Sequence, residues 1–290
     1  MTLPPFALHR PRSLDEVEDL LEQHGGDAVV YCGGTELLLV MKLGLAAYPN
    51  LVDLKGIPEL RVLEERDGRL CVGAAVTHRE LESSPFVHGL FPALAEMERR
   101  VANVRVRSVG TLGGNLCFSD PHSDPATFLL ASGAELVCRR GAAERTIPMG
   151  EFVRGPYETA LGPHELLTEI RIPVLPAGAA AFVHEKFATH ERPALTVSCF
   201  MRAEDGHVAE ARIAVGSVSA TPGRVSEAEN LLLGLHVESG ADQLRVAGEI
   251  AADAVAPLAD LNGSVEYKRN LVRVFVSRCC TTVMERLSPE

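Results

Sequence analysis

Two short glycine-rich segments constrain this chain more than any other feature of its sequence. Residues 32–36 read CGGTE and residues 111–115 read TLGGN. Glycine lets the backbone approach another group closely, and successive N–H groups in such a turn can surround an anion, with a threonine hydroxyl as a further donor. One such turn alone is commonly no more than a tight turn. Two of them in one chain indicate a dinucleotide that lies between two small layers.

The residues around the first segment indicate where an anion would lie. Residues 28–31 (AVVY) are typical of a strand, and residues 37–43 (LLLVMKL) predict a short buried helix. The N-terminus of that helix would favour a phosphate group. Neither glycine segment has the GxGxxG or GxxxxGKS/T pattern, so the two most common nucleotide-binding folds are disfavoured.

The chain up to about residue 172 mixes predicted helices with predicted strands. Asp67-Gly68 predicts a hairpin turn, and Thr77 with Glu80 predicts a capping box at the start of a helix. Apolar residues within 90–101 have the spacing of one helix face. Asp124-Pro125 suits the N-cap and first residue of a further helix.

A stretch rich in proline, alanine and glycine, residues 173–181, is the best candidate for a domain boundary. Two long β-like runs follow it, at 195–202 and 208–218, and then helical patterns up to a last helix that begins at Ser264. Strands followed by helices predict an antiparallel sheet with helices on one face. The fold class predicted for the whole chain is therefore α+β.

Composition excludes several functional classes. The chain has 290 residues and a formal net charge of −11, and it has no long basic stripe, so nucleic acid is an improbable partner. No apolar run is long enough to cross a bilayer, and no secretory signal is recognisable, so we expect a cytoplasmic protein without a transmembrane segment. Its seven cysteines are scattered and include no CxxC pair, which argues against a disulfide framework and against an iron–sulfur or zinc site in this chain.

With these motifs in their order, the sequence resembles a known family. Residues 29–37 with 41–43 resemble the first flavin-binding segment of the FAD subunits of molybdenum hydroxylases, and residues 106–115 resemble the second. Residues 119–124 and 160–171 continue the pattern in the same order. The chain is thus similar, over nearly its whole length, to the medium FAD-binding subunits of the carbon monoxide dehydrogenase type and to the FAD domain of xanthine dehydrogenases.

This resemblance implies a fold and a division into domains. Residues 1–175 would form a two-subdomain FAD-binding domain of the vanillyl-alcohol-oxidase (PCMH) type, with subdomains at about 1–55 and 56–175. Residues 180–290 would form a small C-terminal α+β domain of the carbon monoxide dehydrogenase flavoprotein type, with an antiparallel sheet.

The resemblance also implies which residues bind FAD. Residues 30–37 and Thr111 with Gly114 would line the pyrophosphate, and Asn115 would brace the second turn. Asp124 would accept from a ribose hydroxyl, and plain helix capping is its alternative role. The full set of expected cofactor-binding residues is Val30, Tyr31, Cys32, Gly33, Gly34, Thr35, Glu36, Leu37, Val101, Thr111, Gly114, Asn115, Asp124, Leu166 and Lys186.

Three of these positions concern the flavin ring. Leu166 would pack near it, and Lys186 would lie beside the isoalloxazine, where a positive charge favours the reduced ring. The alternative for Lys186 is a solvated cation at a strand edge. Val101 stands where some relatives carry an aromatic side chain, so stacking from that position is lost. Residues 190–194 (HERPA) depart from the arginine and aspartate of the relatives, which leaves open the group that covers the reactive face of the flavin.

By this resemblance, the chain is an FAD-binding electron-transfer subunit of a heteromeric molybdenum hydroxylase, of the xanthine, carbon monoxide, aromatic N-heterocycle or aldehyde dehydrogenase type. Electrons would come from a small [2Fe-2S] partner subunit and leave through FAD to NAD, a quinone or another acceptor. A large partner subunit would hold the molybdopterin-type cofactor, and the assembly would be a dimer of heterotrimers. This chain itself would contribute no metal ligand and no catalytic residue beyond the flavin.

Two alternatives remain open at the level of sequence. The first is a stand-alone flavin-dependent oxidoreductase of the same fold that acts directly on a small substrate, although no convincing acid–base pair is visible for it. The second is a non-catalytic assembly protein that has kept the fold, although its glycine turns are intact.

Overall fold

The computed structural model describes residues 2–188 and 192–288, and the N-terminal part is a small parallel sheet. Its elements are β1 (Ala7–His9), α1 (Leu14–His24), β2 (Ala28–Tyr31), α2 (Leu37–Lys42) and β3 (Asn50–Asp53). The strand order is β1–β3–β2, with both pairings parallel. Helix α1 begins at Ser13, whose hydroxyl accepts from the N–H of Glu16, and its apolar stripe is buried. Strand β2 ends where the first glycine turn begins.

Helix α2 follows that turn but is not the buried helix that its sequence predicts. Only Met41 of the helix is fully buried, whereas Leu39 is 46% exposed and Leu43, just after the helix, is 52% exposed. A helix of six residues makes fewer than two turns, so few of its side chains can point toward the same neighbour. The apolar run therefore leaves an exposed strip beside the glycine turn.

The central part of the chain is a five-stranded antiparallel sheet with short helices. Its first elements along the chain are β4 (Leu63–Arg66), β5 (Arg69–Gly73), α3 (His78–Ser83), α4 (Pro85–Leu90), α5 (Pro92–Arg99), α6 (Val104–Arg107), α7 (Leu112–Phe118) and α8 (Asp124–Ser132). The remainder are β6 (Glu135–Arg140), β7 (Ala143–Pro148), α9 (Met149–Phe152), β8 (Val153–Gly155), β9 (Glu158–Thr159) and β10 (Leu166–Pro173). The strand order is β4–β5–β10–β6–β7, and β8 pairs separately with β9.

Two local predictions in this part are confirmed by the geometry. Asp67 and Gly68 both have positive φ, as a type I′ hairpin turn between β4 and β5 requires. Thr77 and Glu80 form a complete capping box at the start of α3.

The prediction of one helix across residues 90–101 is wrong. Helix α4 ends at Leu90 and α5 begins at Pro92, with Phe91 between them, and Val101 lies beyond the end of α5. Proline has no N–H and cannot continue a helix at that position, but it is favoured in the first turn of a new one. Leu94 and Met97 still point into the core, as their spacing indicates.

The C-terminal part is the predicted antiparallel sheet with helices. Its elements are β11 (Ala180–Phe187), β12 (Leu195–Glu204), β13 (His207–Gly216), β14 (Gly223–Arg224), α10 (Ser226–Leu232), α11 (Ala241–Ala254) and α12 (Val265–Leu287). The strands follow one another in the order β11–β12–β13–β14. Among residues 2–188 and 192–288, no helix is both long enough and apolar enough to span a membrane.

The two faces of this last sheet belong to two different cores. Val183, Cys199 and Ile213 pack with α11 and α12, whereas their chain neighbours Phe182 and Phe200 pack into the core of the central part. Side chains alternate between faces along a strand, so one strand can serve both cores.

Helix α8 fills the space between the two sheets and is buried along its whole length. Its Phe128 lies 4.4 Å, centroid to centroid, from Phe182 of β11 and 5.5 Å from Phe91. The sheet that was predicted to carry helices on one face thus carries α10–α12 on one side and α8 of the central part on the other. The first residue of α8, Asp124, is consequently held in a buried and rigid place.

The contact between α11 and α12 gives a stability prediction. A Cβ on Gly248 would collide with the carbonyl oxygen of Arg273 and would lie 3.2 Å from Cβ of Ser277. We expect Gly248→Ala to lower the free energy of unfolding by about 1–3 kcal/mol, because the two helices must move apart. The matched control is Gly89→Ala in α4, where a Cβ meets nothing within 4 Å and where alanine is the better helix former. Urea denaturation followed by circular dichroism compares them, and equal stability of the two variants would contradict this packing.

Candidate functional site

The two glycine turns touch each other in the folded chain. A Cβ on Gly33 would lie 2.6 Å from Cα of Gly110 and even closer to the carbonyl oxygen of Val109. Real Cβ atoms do not approach a backbone this closely, so residue 33 must be glycine for the turns to meet. The N-terminal sheet and the central helices therefore join at this contact.

The first turn has a run of backbone N–H groups without acceptors. Among the described residues, nothing accepts a hydrogen bond from the N–H groups of residues 33–37. Gly34 has φ +70°, and the ring of Tyr31 packs so closely beneath it that a Cβ would collide with Cε2. Five successive free N–H groups are what an anion requires. This turn has the geometry that its sequence predicts.

The second turn differs, because the N–H groups of residues 112–115 are already used. The N–H of Gly113 donates to the carbonyl oxygen of Ala74 at 3.2 Å, and that of Gly114 donates to Oγ1 of Thr111 at 3.0 Å. The N–H of Asn115 donates to the carbonyl oxygen of Thr111. A Cβ on Gly113 would lie 2.6 Å from Cβ of Ala74, so this glycine is needed for close packing. The expectation that both turns offer free N–H groups is correct for the first turn and wrong for the second.

The turns form one end of a cavity of about 350 Å³. This volume lies in the range of small-molecule and cofactor sites. The structure brings most of the expected cofactor-binding residues to its wall. Those lining it are Val30, Cys32, Gly33, Gly34, Thr35, Glu36, Leu37, Val101, Thr111, Gly114, Asn115, Asp124 and Leu166. The two remaining residues, Tyr31 and Lys186, lie behind the wall against Gly34 and Asp124.

Asp124 is the best-defined polar group of the wall. The sequence predicts that Asp124 is the N-cap of α8. In the structure Ser123 holds that position, and Asp124 is the first helical residue. Ser123 donates its hydroxyl to Oδ1 of Asn115 at 2.6 Å, which ties the second turn to α8. The carboxylate of Asp124 is therefore available for other partners.

One oxygen of Asp124 is paired and the other is not. Oδ2 accepts from Nζ of Lys186 at 2.8 Å, whereas the buried Oδ1 has no hydrogen-bond partner among the described residues. Nε2 of His184 lies 3.6 Å from that Oδ1. Burial alone raises the pKa of Asp124, but the imidazole of His184 and the ammonium of Lys186 outweigh it and hold the pKa below its ordinary value. Asp124 is thus an ionised acceptor on the cavity wall, and its unpaired oxygen is buried on the side of His184.

Lys186 is a buried lysine and not a solvated cation at a strand edge. Its side chain is 9% exposed, and Nζ also donates to the carbonyl oxygen of Arg100 at 2.9 Å. It reaches the cavity through Asp124. Its positive charge therefore acts across the carboxylate and does not face the cavity directly.

Each of the other acidic groups on the described wall also has a cationic partner. Arg192 pairs with Glu36 at 2.8 Å and also with Asp120. Arg145 pairs with Glu165 at 2.6 Å and lowers the pKa of that carboxyl. The four carboxylates of the wall therefore share three cationic partners, which offset most of their charge.

The sequence analysis assigned no site role to several lining residues. These are Ala74, His78, Cys117, Phe118, Asp120, His122, Glu165 and Arg192. Asp120 and Glu165 lie in segments that carry the family resemblance, so a role near the cofactor could have been predicted for them from the sequence. Arg192 and Pro193 reach the wall from the departing run 190–194, and no local pattern predicts this. His190 and Glu191 of that run lie outside the described residues.

A cavity between a parallel and an antiparallel sheet, with free N–H groups at one end and apolar side chains such as Val101 and Leu166 elsewhere, defines a protein that binds a nucleotide-containing cofactor. Residues 4–175 match the family described as the FAD binding domain in molybdopterin dehydrogenase. Residues 181–283 match the carbon monoxide dehydrogenase flavoprotein C-terminal domain. The chain belongs to this family of FAD-binding flavoproteins, and the predicted PCMH-type fold with its α+β C-terminal part is confirmed.

Individual relatives agree with this assignment over the full length of the chain. The carbon monoxide dehydrogenase medium chain of Hydrogenophaga pseudoflava is 33% identical, and the match covers 99% of each chain. The nicotine 6-hydroxylase medium subunit of Paenarthrobacter nicotinovorans is 31% identical over 96% of this chain and 97% of its own.

Solved structures show the same similarity. Carbon monoxide dehydrogenase from Hydrogenophaga pseudoflava superposes with a TM-score of 0.95 at 33% identity, and the match covers 99% of this chain and all of that one. Quinoline 2-oxidoreductase from Pseudomonas putida 86 gives a TM-score of 0.92 at 28% identity, with 99% of each chain covered.

The Asp124–Lys186 pair gives a prediction about stability and pH. We expect Asp124→Asn to lower the free energy of unfolding at neutral pH by about 3 kcal/mol, because Lys186 then stays buried without a charged partner. A carboxyl with a lowered pKa stabilises the fold above its ordinary pKa, and this contribution is lost as the pH falls below about 4. The gap between the native protein and the variant should therefore narrow in acid.

Urea denaturation at a series of pH values measures this gap. The matched control is Asp253→Asn on the exposed side of α11, which should follow the native protein at every pH. A gap for Asp124→Asn that stays constant from neutral pH into acid would show that the carboxylate does not pair as described.

Proposed function

We propose that this chain holds FAD in the cavity and transfers electrons as the flavin subunit of a heteromeric molybdenum hydroxylase. The observation that carries the proposal is the run of free N–H groups at residues 33–37 on the cavity wall. Bound FAD would supply reversible two-electron chemistry, and the protein's part is to bind and orient it.

The polar groups of the wall fit the different parts of FAD. The free N–H groups of the first turn suit the pyrophosphate, and the carboxylate of Asp124 suits a ribose hydroxyl. Thr111 and Gly114 stand beside the first turn and form the opposite side of the pyrophosphate site, braced by Asn115. Leu166 and Val101 offer apolar surface to the flavin ring.

Lys186 acts on the cofactor through Asp124. It holds the carboxylate by a 2.8 Å hydrogen bond and keeps it ionised, so its first role is to position the acceptor. Tyr31 has a similar supporting role, because its ring fixes the backbone at Gly34.

The partners and the location follow from the same proposal. The relatives are named as medium chains or medium subunits of carbon monoxide dehydrogenase and nicotine 6-hydroxylase. We infer a small [2Fe-2S] subunit that delivers electrons, a large subunit with the molybdopterin-type cofactor, and a dimer of such heterotrimers. The acceptor would be NAD, a quinone or another oxidant. The free cysteines, most of them buried, support a reducing cytoplasmic location.

Removal of the contact between the turns should weaken FAD binding. Gly33→Asp pushes the two turns apart and adds a carboxylate beside the pyrophosphate site. We expect FAD to bind about a hundredfold more weakly, as judged by quenching of flavin fluorescence on titration. Gly26→Asp is the matched control, because a Cβ there meets nothing within 4 Å.

A chemical probe locates the bound flavin independently. Cys117 is the exposed cysteine of the cavity wall, whereas five of the seven cysteines are buried. FAD should protect Cys117 from a thiol reagent, as read by mass spectrometry. Unchanged FAD affinity in Gly33→Asp, together with unprotected Cys117, would refute FAD binding in this cavity.

The electron-transfer role can be separated from that of a stand-alone enzyme. We expect the flavin of the isolated FAD-loaded chain to stay oxidised when the organic substrate of the assembled hydroxylase is added, because that substrate reacts in another subunit. Addition of the reduced [2Fe-2S] subunit should bleach the flavin absorbance in a stopped-flow experiment. Direct reduction of the isolated chain by the substrate at the turnover rate would favour the stand-alone alternative.

A further inference from the structure

A buried histidine–glutamate pair lies on the cavity wall and has no part in the function described so far. Nδ1 of His78 and Oε2 of Glu98 are 2.6 Å apart, and the two side chains are 3% and 0% exposed. His78 is the first residue of α3 and lines the cavity, whereas Glu98 comes from α5 behind it.

Glu98 depends on His78 for its charge balance. Its second oxygen, Oε1, is buried and has no hydrogen-bond partner among the described residues. The nearby arginines are already paired with the acidic groups of α3, Arg61 with Glu80 and Arg107 with Glu82. A carboxylate in such a place is costly unless a partner compensates it. His78 is the partner that the geometry provides.

This balance determines what His78 presents to the cavity. The pair carries no net charge as imidazolium with carboxylate. In that state Glu98 accepts from Nδ1, and Nε2 also carries hydrogen and is a hydrogen-bond donor.

The donor lies where the two glycine turns meet. A Cβ on Gly110 would be 3.3 Å from Cδ2 of His78, the ring carbon next to Nε2, and 3.5 Å from Oγ1 of Thr35. Nε2 has no hydrogen-bond partner among the described residues, and His78 lines the cavity. The nearby cationic groups are engaged elsewhere, Lys186 behind the wall with Asp124 and Arg192 on the wall with Glu36.

We propose that His78 binds a phosphate oxygen of FAD through Nε2–H, and that Glu98 is a positioning residue that orients the ring by accepting from Nδ1. His78 would thereby take the place that the second turn leaves vacant, since the N–H groups of Gly113 and Gly114 are used internally. This inference rests on the proposed function, because it needs FAD in the cavity.

Replacement of the whole pair tests the inference without leaving a charge buried. In the double variant His78→Phe/Glu98→Leu both positions become apolar and of similar shape, so the fold should persist. FAD should bind about ten- to a hundredfold more weakly, which is the effect of losing one hydrogen bond to a charged group. His88→Phe, in the neighbouring helix α4 and away from the cavity, is the matched control.

The two single variants test the positioning role of Glu98. Glu98→Leu alone should weaken FAD binding several-fold, but it should have no further effect once His78 is phenylalanine. This non-additivity is expected only if Glu98 acts through His78. Equal losses in the two backgrounds would overturn the positioning role.

A measurement on the native protein does not depend on any variant. Two-bond ¹H–¹⁵N spectra of the histidine rings at neutral pH should show hydrogen on Nε2 of His78 in the apoprotein and a shift of that resonance when FAD is added. A bare Nε2, or FAD affinity in the double variant equal to that of the native protein, would overturn the inference. Failure of the native protein to bind FAD would instead overturn the proposed function.

Discussion

The contact between the two glycine turns is the constraint on which the rest of the structure depends. Gly33 lies against Val109 and Gly110, and Gly113 lies against Ala74, so a side chain at either glycine would hold two backbones apart. The first contact joins the parallel sheet to the central helices and the second packs α7 against the end of β5, and together they form the wall of the cavity. The glycines are thus needed first to assemble the site. Among the described residues, the first turn has a run of N–H groups without acceptors that can serve a ligand.

Charge is arranged to make this cavity suitable for an anion in a chain of net charge −11. Screening limits the field of the whole protein to about 10 Å, so the groups at the wall decide. There, Lys186 and Arg145 each neutralise one carboxylate, and Arg192 faces two more. The free N–H groups of residues 33–37 then act at short range on a ligand that meets little net repulsion.

Turns and helix caps that neighbouring residues determine could be predicted from the sequence, whereas contacts between distant segments could not. The hairpin turn at Asp67 and the capping box at Thr77 follow from neighbouring residues, and both are found. The break between α4 and α5 at Pro92 is also local, because it follows from the proline itself. In contrast, the N–H of Gly113 in the second turn donates to the carbonyl oxygen of Ala74, and His78 pairs with Glu98, which lies twenty residues further along the chain. Such pairings require the tertiary structure, because no periodicity within one element encodes them.

The C-terminal part belongs to the site because of the alternation along one strand. Phe182, His184 and Lys186 share one face of β11, and that face meets Phe128 and Asp124 of α8. The opposite face packs on the C-terminal helices. Asp124 therefore stands between the cavity and the contact that joins the two parts of the chain. A ligand that contacts this carboxylate binds to a group already held by the C-terminal strand, so cofactor binding and the docking of the two parts stabilise each other.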